Sequence, residues 1–149
     1  NYNNPTMRAA RIDKENKAFR DSACEGAKIL EELESGAIMI LLKGPEDSAY
    51  AGNSYEVYVT RPENYPFSPP AVKFLSNIVH PNISPEGYVC LDILQSNWSP
   101  TLSLESIILS VQVLLTEPNL TEAFTSVPRE GWLGYLIKEN KKLTQATDQ

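Results

Sequence analysis

Four side chains that can do chemistry lie close together in the sequence: His80, Asn82, Cys90 and Asp92. A cysteine thiolate is a strong nucleophile, a side-chain amide can donate to developing negative charge, and a carboxylate can accept a proton. Proline and glycine residues interrupt this segment, which favours an irregular loop and an accessible thiol. The group therefore makes Cys90 a candidate nucleophile, whereas the alternative is a buried and inert cysteine.

Cysteine, histidine and asparagine also make up the triad of papain-like proteases, so peptide hydrolysis has to be weighed. The base would have to be His80, the only histidine, which lies ten residues before Cys90 in the same segment and is followed by a proline. No glycine-rich elbow accompanies it. A cysteine hydrolase is the weakest of the functions considered.

Composition argues against several other classes of protein. The chain has 149 residues, 42% of them hydrophobic, which predicts one domain over residues 1–149 with a single core. The net charge of −6 disfavours a nucleic-acid partner. No signal peptide is visible, and uncharged stretches such as Phe74–Pro85 and Ser106–Thr116 are too short to cross a membrane.

The two cysteines, Cys24 and Cys90, are far apart and show no C-x-x-C spacing. Together with one histidine they do not match a zinc site, so we predict no bound metal. They also do not make a disulfide framework, and this usage fits a reducing compartment.

The elements that position these side chains begin with a helix predicted over Thr6–Arg20. Ile12 and Phe19 lie seven residues apart on one side of it, while Arg11 and Lys14 point away. Residues 1–20 hold five basic and two acidic side chains on an otherwise acidic chain. This indicates an acidic protein partner at that end, and the alternative is a solvated helix face.

Four segments have the alternation and residue types of strands: Gly26–Leu33, Ala37–Lys43, Ser54–Thr60 and Ala71–Leu75. The connections between them are short and carry turn residues. Parallel strands need a crossover of a dozen or more residues, so these strands are predicted to form an antiparallel meander.

The segment Tyr65–Pro70 contains three prolines and is predicted to be a stiff extended loop, in which Phe67 is either a buried staple or a contact residue. Phe74–Leu102 is long and irregular, as functional loops are.

Ser103 then begins an amphipathic helix that Pro118 stops. Its apolar stripe comprises Leu104, Ile107, Ile108, Val111, Leu114 and Leu115. A last helix is predicted over Arg129–Lys142, although Gly131 and Gly134 have low helix propensity and oppose it.

Six short motifs appear in a fixed order through the middle of the chain. They are Gly44-Pro45-Glu46-Asp47-Ser48, Tyr65-Pro66-Phe67-Ser68-Pro69-Pro70, His80-Pro81-Asn82, Cys90-Leu91-Asp92-Ile93-Leu94, Trp98-Ser99-Pro100 and Glu117-Pro118-Asn119. In order and spacing they resemble the ubiquitin-conjugating enzymes, the middle carriers of the ubiquitin cascade. The resemblance implies an α+β fold: an N-terminal helix, a four-stranded antiparallel meander, a long active-site loop and C-terminal helices.

The resemblance also implies an activity. Cys90 stands at the family's acceptor position, where it would receive ubiquitin from the activating enzyme as a thioester and pass it to a substrate lysine or a ligase. Because ATP is consumed by the activating enzyme, no cofactor is expected here. The implied partners are ubiquitin, the activating enzyme, ubiquitin ligases and protein substrates, and the implied location is the cytoplasm, the nucleus or both.

Further positions match family residues around the acceptor. By resemblance, Asp92 and Glu122 are acidic residues that position the attacking lysine and help to deprotonate it; the alternative is a pair of solvated loop acids. Asn82 stabilises the oxyanion or braces the loop, and His80 with Pro81 shapes the loop. The chain departs from the family pattern after Asn119, where Leu120–Phe124 replaces a segment that usually holds two prolines.

Partner surfaces follow from the same resemblance. Arg11 and Lys14 match the basic helix face used by the activating enzyme and some ligases, and Phe67, Ser99 and Pro100 match two ligase-binding loops. Two alternatives within the family are a carrier for another ubiquitin-like modifier and a non-catalytic ubiquitin-binding variant. Such variants typically lack the acceptor cysteine, so the presence of Cys90 argues against the second.

Overall fold

The computed structural model of the chain describes residues 5–147, and helices flank a single sheet within that range. The elements are α1 (Pro5–Ser22), β1 (Ala27–Glu32), β2 (Ile38–Lys43), β3 (Ser54–Thr60), β4 (Ala71–Phe74), a 3₁₀-helix (Asp92–Leu94), α2 (Leu104–Thr116) and α3 (Trp132–Thr147). The α+β class and the element order predicted from the sequence are confirmed. The domain predicted over 1–149 extends at both ends beyond the described residues.

The four strands form one sheet in the order β1-β2-β3-β4, and each neighbouring pair is antiparallel. The predicted meander is therefore confirmed. One face of the sheet is buried along β2, β3 and β4, where Ile40 lies opposite Val57 and Val57 lies opposite Phe74. Residues that lie directly opposite each other on neighbouring strands have their side chains on the same face.

α2 covers the buried face of the sheet. The Ser103 hydroxyl accepts a hydrogen bond from the backbone N–H of Ser106 and caps the first turn, as predicted. All six residues of the predicted apolar stripe are buried. The helix ends at Thr116, two residues before Pro118.

The C-terminal helix differs from the sequence-based expectation. α3 begins at Trp132 rather than Arg129, and it ends at Thr147 rather than Lys142. Gly131 has a φ of +73°, which lies outside the right-handed helical region, so the helix cannot include the residues before it. Gly134 lies within the first turn and does not prevent the helix from forming.

α1 buries more than the predicted apolar stripe. Ile12 and Phe19 are buried as expected, but Glu15 and Asn16 are buried with them. The Arg61 guanidinium, just after β3, donates to Glu15 Oε1 at 3.1 Å and to Asn16 Oδ1 at 2.7 Å. This buried ion pair fixes α1 against the end of β3, and its charges are paired as buried charges must be.

In the part of the chain that the structure describes, no helix is long and apolar enough to span a membrane.

Candidate active site

Cys90 lies at the end of a short extended segment that packs beside β4. Two backbone hydrogen bonds hold this segment: Phe74 donates to the carbonyl of Gly87 at 2.7 Å, and Val89 donates to Val72 at 3.0 Å. Gly87 has a φ of +102°, and a β-carbon there would lie 2.1 Å from the Phe74 carbonyl oxygen. Only glycine fits this close approach. Gly87 therefore allows the two hydrogen bonds that hold the cysteine-bearing segment against the sheet.

The thiol itself is free and partly exposed. Cys90 belongs to no disulfide, and its side chain is neither in the core nor fully in solvent. Its backbone N–H donates to the carbonyl of Asn82 at 2.9 Å. A fixed backbone with an accessible sulfur is the arrangement that a nucleophilic thiol requires.

His80 is buried and structural. Its Nε2 lies 2.8 Å from the Leu114 carbonyl oxygen, and its Nδ1 lies 2.9 Å from the backbone nitrogen of Asn82. A carbonyl only accepts and a backbone N–H only donates, so Nε2 carries the proton and Nδ1 accepts. Burial lowers the pKa of His80 to about 4, which keeps the ring neutral. Both nitrogens are occupied, so His80 is not available as a general base.

The side-chain amide of Asn82 holds the segment that follows α2. Its Nδ2 donates to the carbonyls of Asn119 at 2.9 Å and Glu122 at 2.8 Å, and its Oδ1 accepts from the Asn119 N–H at 2.8 Å. Phe124 adds a fourth contact, since its N–H donates to the carbonyl of Pro81 at 2.8 Å. The sequence left two roles open for Asn82, bracing the active-site loop or stabilising the oxyanion. These contacts support the bracing role, and oxyanion stabilisation stays a prediction.

Glu122 lies in the segment that Asn82 holds, and its own side chain is exposed. Its backbone N–H donates to Asn119 Oδ1 at 3.1 Å, and its backbone carbonyl accepts from Asn82. The backbone of Glu122 is thus tied to the same loop as Cys90, despite the departure from the family's proline pattern.

Asp92 is exposed and is the first residue of the 3₁₀-helix, two residues after Cys90. Its Oδ1 accepts from the Ile93 N–H at 2.9 Å, and its Oδ2 accepts from Asn97 Nδ2 at 3.1 Å. These bonds fix the orientation of the carboxylate without burying it. The carboxylate therefore remains open to a cation approaching from solvent.

Gln95 is a site residue that the sequence analysis missed. Its side-chain Nε2 lies 3.4 Å from Cys90 Sγ, within hydrogen-bond range for sulfur. The sequence carried a weak signal, namely a polar side chain between the cysteine motif and Trp98. Periodicity could not show that the 3₁₀-helix turns this side chain back towards the thiol.

The residues predicted to bind partners lie on adjoining parts of α1 and two loops. Trp98 joins the loops, because its Nε1 donates to the Pro66 carbonyl at 2.9 Å and its ring lies 5.9 Å from that of Tyr65. Phe67, which follows Pro66 in the chain, is 48% exposed. This exposure favours a contact role for its ring over that of a buried staple. Ser99 bonds to Thr101 at 2.8 Å, and Pro100 is exposed.

Arg11 and Lys14 line a cleft on α1 together with Pro100. Lys14 is exposed, but Arg11 does not simply point into solvent as predicted. Its Nη2 donates to Glu15 Oε2 and to the Leu102 carbonyl, each at 3.0 Å. The buried Glu15 carboxylate turns the guanidinium inwards, so Arg11 also attaches α1 to the loop that carries Pro100.

Over residues 5–147, no three side chains of histidine, cysteine, aspartate or glutamate come together in a group able to hold a metal ion.

Comparison with known proteins gives two kinds of match. The family model described as "Ubiquitin-conjugating enzyme" matches residues 11–142. "Ubiquitin-conjugating enzyme E2 N" of Macaca fascicularis is 36% identical over 124 residues, which cover 82% of this chain and 81% of that protein. "Ubiquitin-conjugating enzyme E2 13" of Saccharomyces cerevisiae is 39% identical over 94 residues, which cover 63% of this chain and 61% of that protein.

Proposed function

The chain belongs to the ubiquitin-conjugating enzyme family, whose members are transferases with a thioester intermediate, and we propose that Cys90 is the residue that carries the thioester. The single observation that carries this proposal is the state of Cys90. It is a free, partly exposed thiol on a segment fixed to β4 and to Asn82. Cys24, the other cysteine, packs against the core, and burial raises the pKa of its thiol.

Charging is a transfer between two thiols. The Cys90 thiolate attacks the carbonyl carbon of the thioester on the activating enzyme, so that a new C–S bond forms and the old one breaks. The electron pair of the broken bond leaves on the sulfur of the activating enzyme. ATP is consumed by that enzyme, and this chain needs no cofactor for the exchange.

Discharge transfers the acyl group from sulfur to nitrogen. A lysine amine has an unperturbed pKa near 10.4, so it must lose a proton before or during attack. Asp92 follows Cys90 by two residues, and we assign its oriented carboxylate the role of accepting that proton or positioning the amine. We assign Glu122 the same kind of role from the opposite segment, and Asn82 the role of holding that segment in place.

We assign the partner surfaces from the family resemblance, and the exposure of Lys14, Phe67 and Pro100 supports them. The activating enzyme docks on α1 at Arg11 and Lys14, and ligases dock on Phe67, Ser99 and Pro100. An exposed aromatic ring such as that of Phe67 is a common anchor at protein interfaces. Ubiquitin and a substrate lysine meet at Cys90.

Two further assignments rest on the sequence. The match over residues 11–142 supports one catalytic domain across residues 1–149. Two free cysteines support a reducing compartment, the cytoplasm, the nucleus or both.

One experiment separates ubiquitin from the other modifiers as cargo. The protein is incubated with ATP and with ubiquitin or another ubiquitin-like modifier, each paired with its own activating enzyme, and run on non-reducing gels. We expect a thiol-sensitive adduct with ubiquitin. An adduct with a different modifier alone would show a carrier for that modifier, and no adduct with any would favour a non-catalytic binding protein.

A further inference from the structure

Gln95 presents a hydrogen-bond donor to the reacting sulfur. Its Nε2 lies 3.4 Å from Cys90 Sγ, although both side chains are at the surface. A thiol is a weak acceptor and a thiolate is a much stronger one, since hydrogen bonds to ionised groups are about twice as strong as neutral ones. The contact therefore gains strength in each state in which the sulfur carries negative charge.

The backbone of Gln95 is fixed on both sides, which makes this contact more than a chance meeting of surface side chains. Its N–H donates to the Asp92 carbonyl at 3.0 Å, and its carbonyl accepts from the Trp98 N–H at 3.2 Å. Trp98 in turn is anchored to Pro66. The amide thus starts from a defined position and reaches the sulfur across one turn.

We propose that Gln95 is a further catalytic residue of this enzyme, whose side-chain amide stabilises the Cys90 thiolate as nucleophile and as leaving group. This inference rests on the proposed thioester chemistry at Cys90. It assigns a direct role to a residue between the cysteine and the ligase-binding loop.

In the charging step the sulfur begins as a thiolate. The amide N–H bonds to it before attack, and the bond weakens as the electron pair moves into the new C–S bond. Gln95 therefore stabilises the charged form of the nucleophile, and the size of this gain is set by one hydrogen bond to a charged atom.

In the discharge step the sulfur ends as a thiolate. The lysine nitrogen forms a C–N bond to the carbonyl carbon, its proton passes to Asp92 or to water, and the C–S bond breaks with its electron pair on Sγ. The amide N–H then bonds to the departing thiolate. The same donor assists both reactions because both place charge on the same atom.

A series of substitutions at Gln95 separates donation from shape. Gln95→Leu keeps the size but removes the donor, Gln95→Glu replaces the donor with a negative charge, and Gln95→Arg keeps donors and adds a positive charge. Ser96→Ala, at the exposed neighbouring position, is the matched control. Thermal unfolding of each variant shows whether the fold is retained.

The first readout is the rate at which iodoacetamide alkylates Cys90 at pH 7, measured by mass spectrometry on the peptide that contains it. Cys24 in the same molecule serves as the internal reference. We expect the rate at Cys90 to fall about 3- to 10-fold for Gln95→Leu, further for Gln95→Glu, and not at all for Gln95→Arg or Ser96→Ala. The Cys24 rate stays constant throughout.

The second readout is single-turnover discharge of the ubiquitin thioester onto free lysine, for which we expect the same order of variants. Equal alkylation rates across the series would overturn the inference. Equal slowing of alkylation in Gln95→Leu and Gln95→Glu would also overturn it, because it would show an effect of side-chain shape rather than of hydrogen-bond donation. Failure of the unchanged protein to form any thioester would instead reject the proposed function, and the alkylation series would still decide the effect of Gln95 on the thiol.

Discussion

The imidazole of His80 joins Asn82 to α2 through both of its ring nitrogens. Nδ1 accepts from the Asn82 N–H at 2.9 Å, while Nε2 donates to the Leu114 carbonyl at 2.8 Å. Asn82 in turn accepts from the backbone N–H of Cys90. The position of the Cys90 thiol therefore depends on a buried ring that must stay neutral.

This dependence predicts a loss of stability in mild acid. Burial lowers the pKa of His80 to about 4 in the folded protein, whereas an unfolded histidine titrates near 6.5. Between these values the unfolded state binds more protons, so the stabilisation is present above pH 6.5 and is lost as the pH falls towards 4. We expect His80 to lower the free energy of unfolding by about 2 kcal/mol between pH 7 and pH 5.

The measurement is urea unfolding at both pH values, for the unchanged protein and for His80→Gln. Glutamine offers a donor amide nitrogen and an acceptor oxygen but does not titrate in this range. Over the same pH change, the free energy of unfolding of His80→Gln should therefore fall by about 2 kcal/mol less than that of the parent. Identical pH dependence of the two proteins would show that His80 is not held neutral by burial.

Asn82→Ala is predicted to charge with ubiquitin but to discharge slowly onto free lysine. The substitution removes three hydrogen bonds to the backbone of Asn119 and Glu122, so residues 119–124 lose their brace. We expect a discharge rate lower by about 10²-fold if the amide also serves the oxyanion, and faster hydrogen exchange in residues 119–124 in either case. Asn77→Ala, at an exposed asparagine, is the control. A discharge rate equal to that of the parent would reject a catalytic role for Asn82.

Asp92→Asn separates the charge of this residue from its hydrogen bond to the Ile93 N–H. Asparagine keeps an acceptor for the Ile93 N–H, so the 3₁₀-helix should be retained. Loss of the carboxylate should slow discharge onto lysine by about 10²-fold while charging stays near normal. Single-turnover measurements of both steps test this, with Asn97→Ala as a control that removes only the hydrogen bond to Oδ2. A defect in charging as large as that in discharge would contradict the assignment.

Phe67→Ala is predicted to weaken ligase-stimulated discharge while leaving stability and unstimulated discharge unchanged. The ring is 48% exposed, so truncation removes little from the core. Loss of an aromatic anchor costs about 2 kcal/mol in binding, or roughly 30-fold in affinity. The assay is discharge with a panel of ligases, and Leu30→Ala, whose parent side chain is 46% exposed on β1, is the control. An equal effect of both variants would argue against a ligase surface at Phe67.

Features with a regular period were predictable from the sequence. The apolar stripe of α2 and the alternation of β2 and β3 reflect burial against one partner surface, which the spacing of apolar residues encodes directly. The acceptor position of Cys90 followed instead from a resemblance in six motifs. That resemblance also implied the same order of elements that the residue patterns had predicted.

Contacts between distant residues were not predictable. The burial of Glu15 depends on Arg61 and Tyr65, which lie far along the chain and donate to its carboxylate at 3.1 Å and 2.6 Å. A lone acidic residue on a helix gives no sign of such partners. The approach of Gln95 to Cys90 was missed for the same kind of reason, because it depends on the turn of a short 3₁₀-helix.

The most direct test concerns the sulfur atom of Cys90. The unchanged protein, Cys24→Ser and Cys90→Ser are each incubated with activating enzyme, ATP and ubiquitin, and the intact mass is measured before and after addition of dithiothreitol. We predict a ubiquitin adduct that dithiothreitol removes from the unchanged protein and from Cys24→Ser. For Cys90→Ser we predict either no adduct or an oxygen ester that dithiothreitol leaves intact. A dithiothreitol-sensitive adduct on Cys90→Ser would contradict the account.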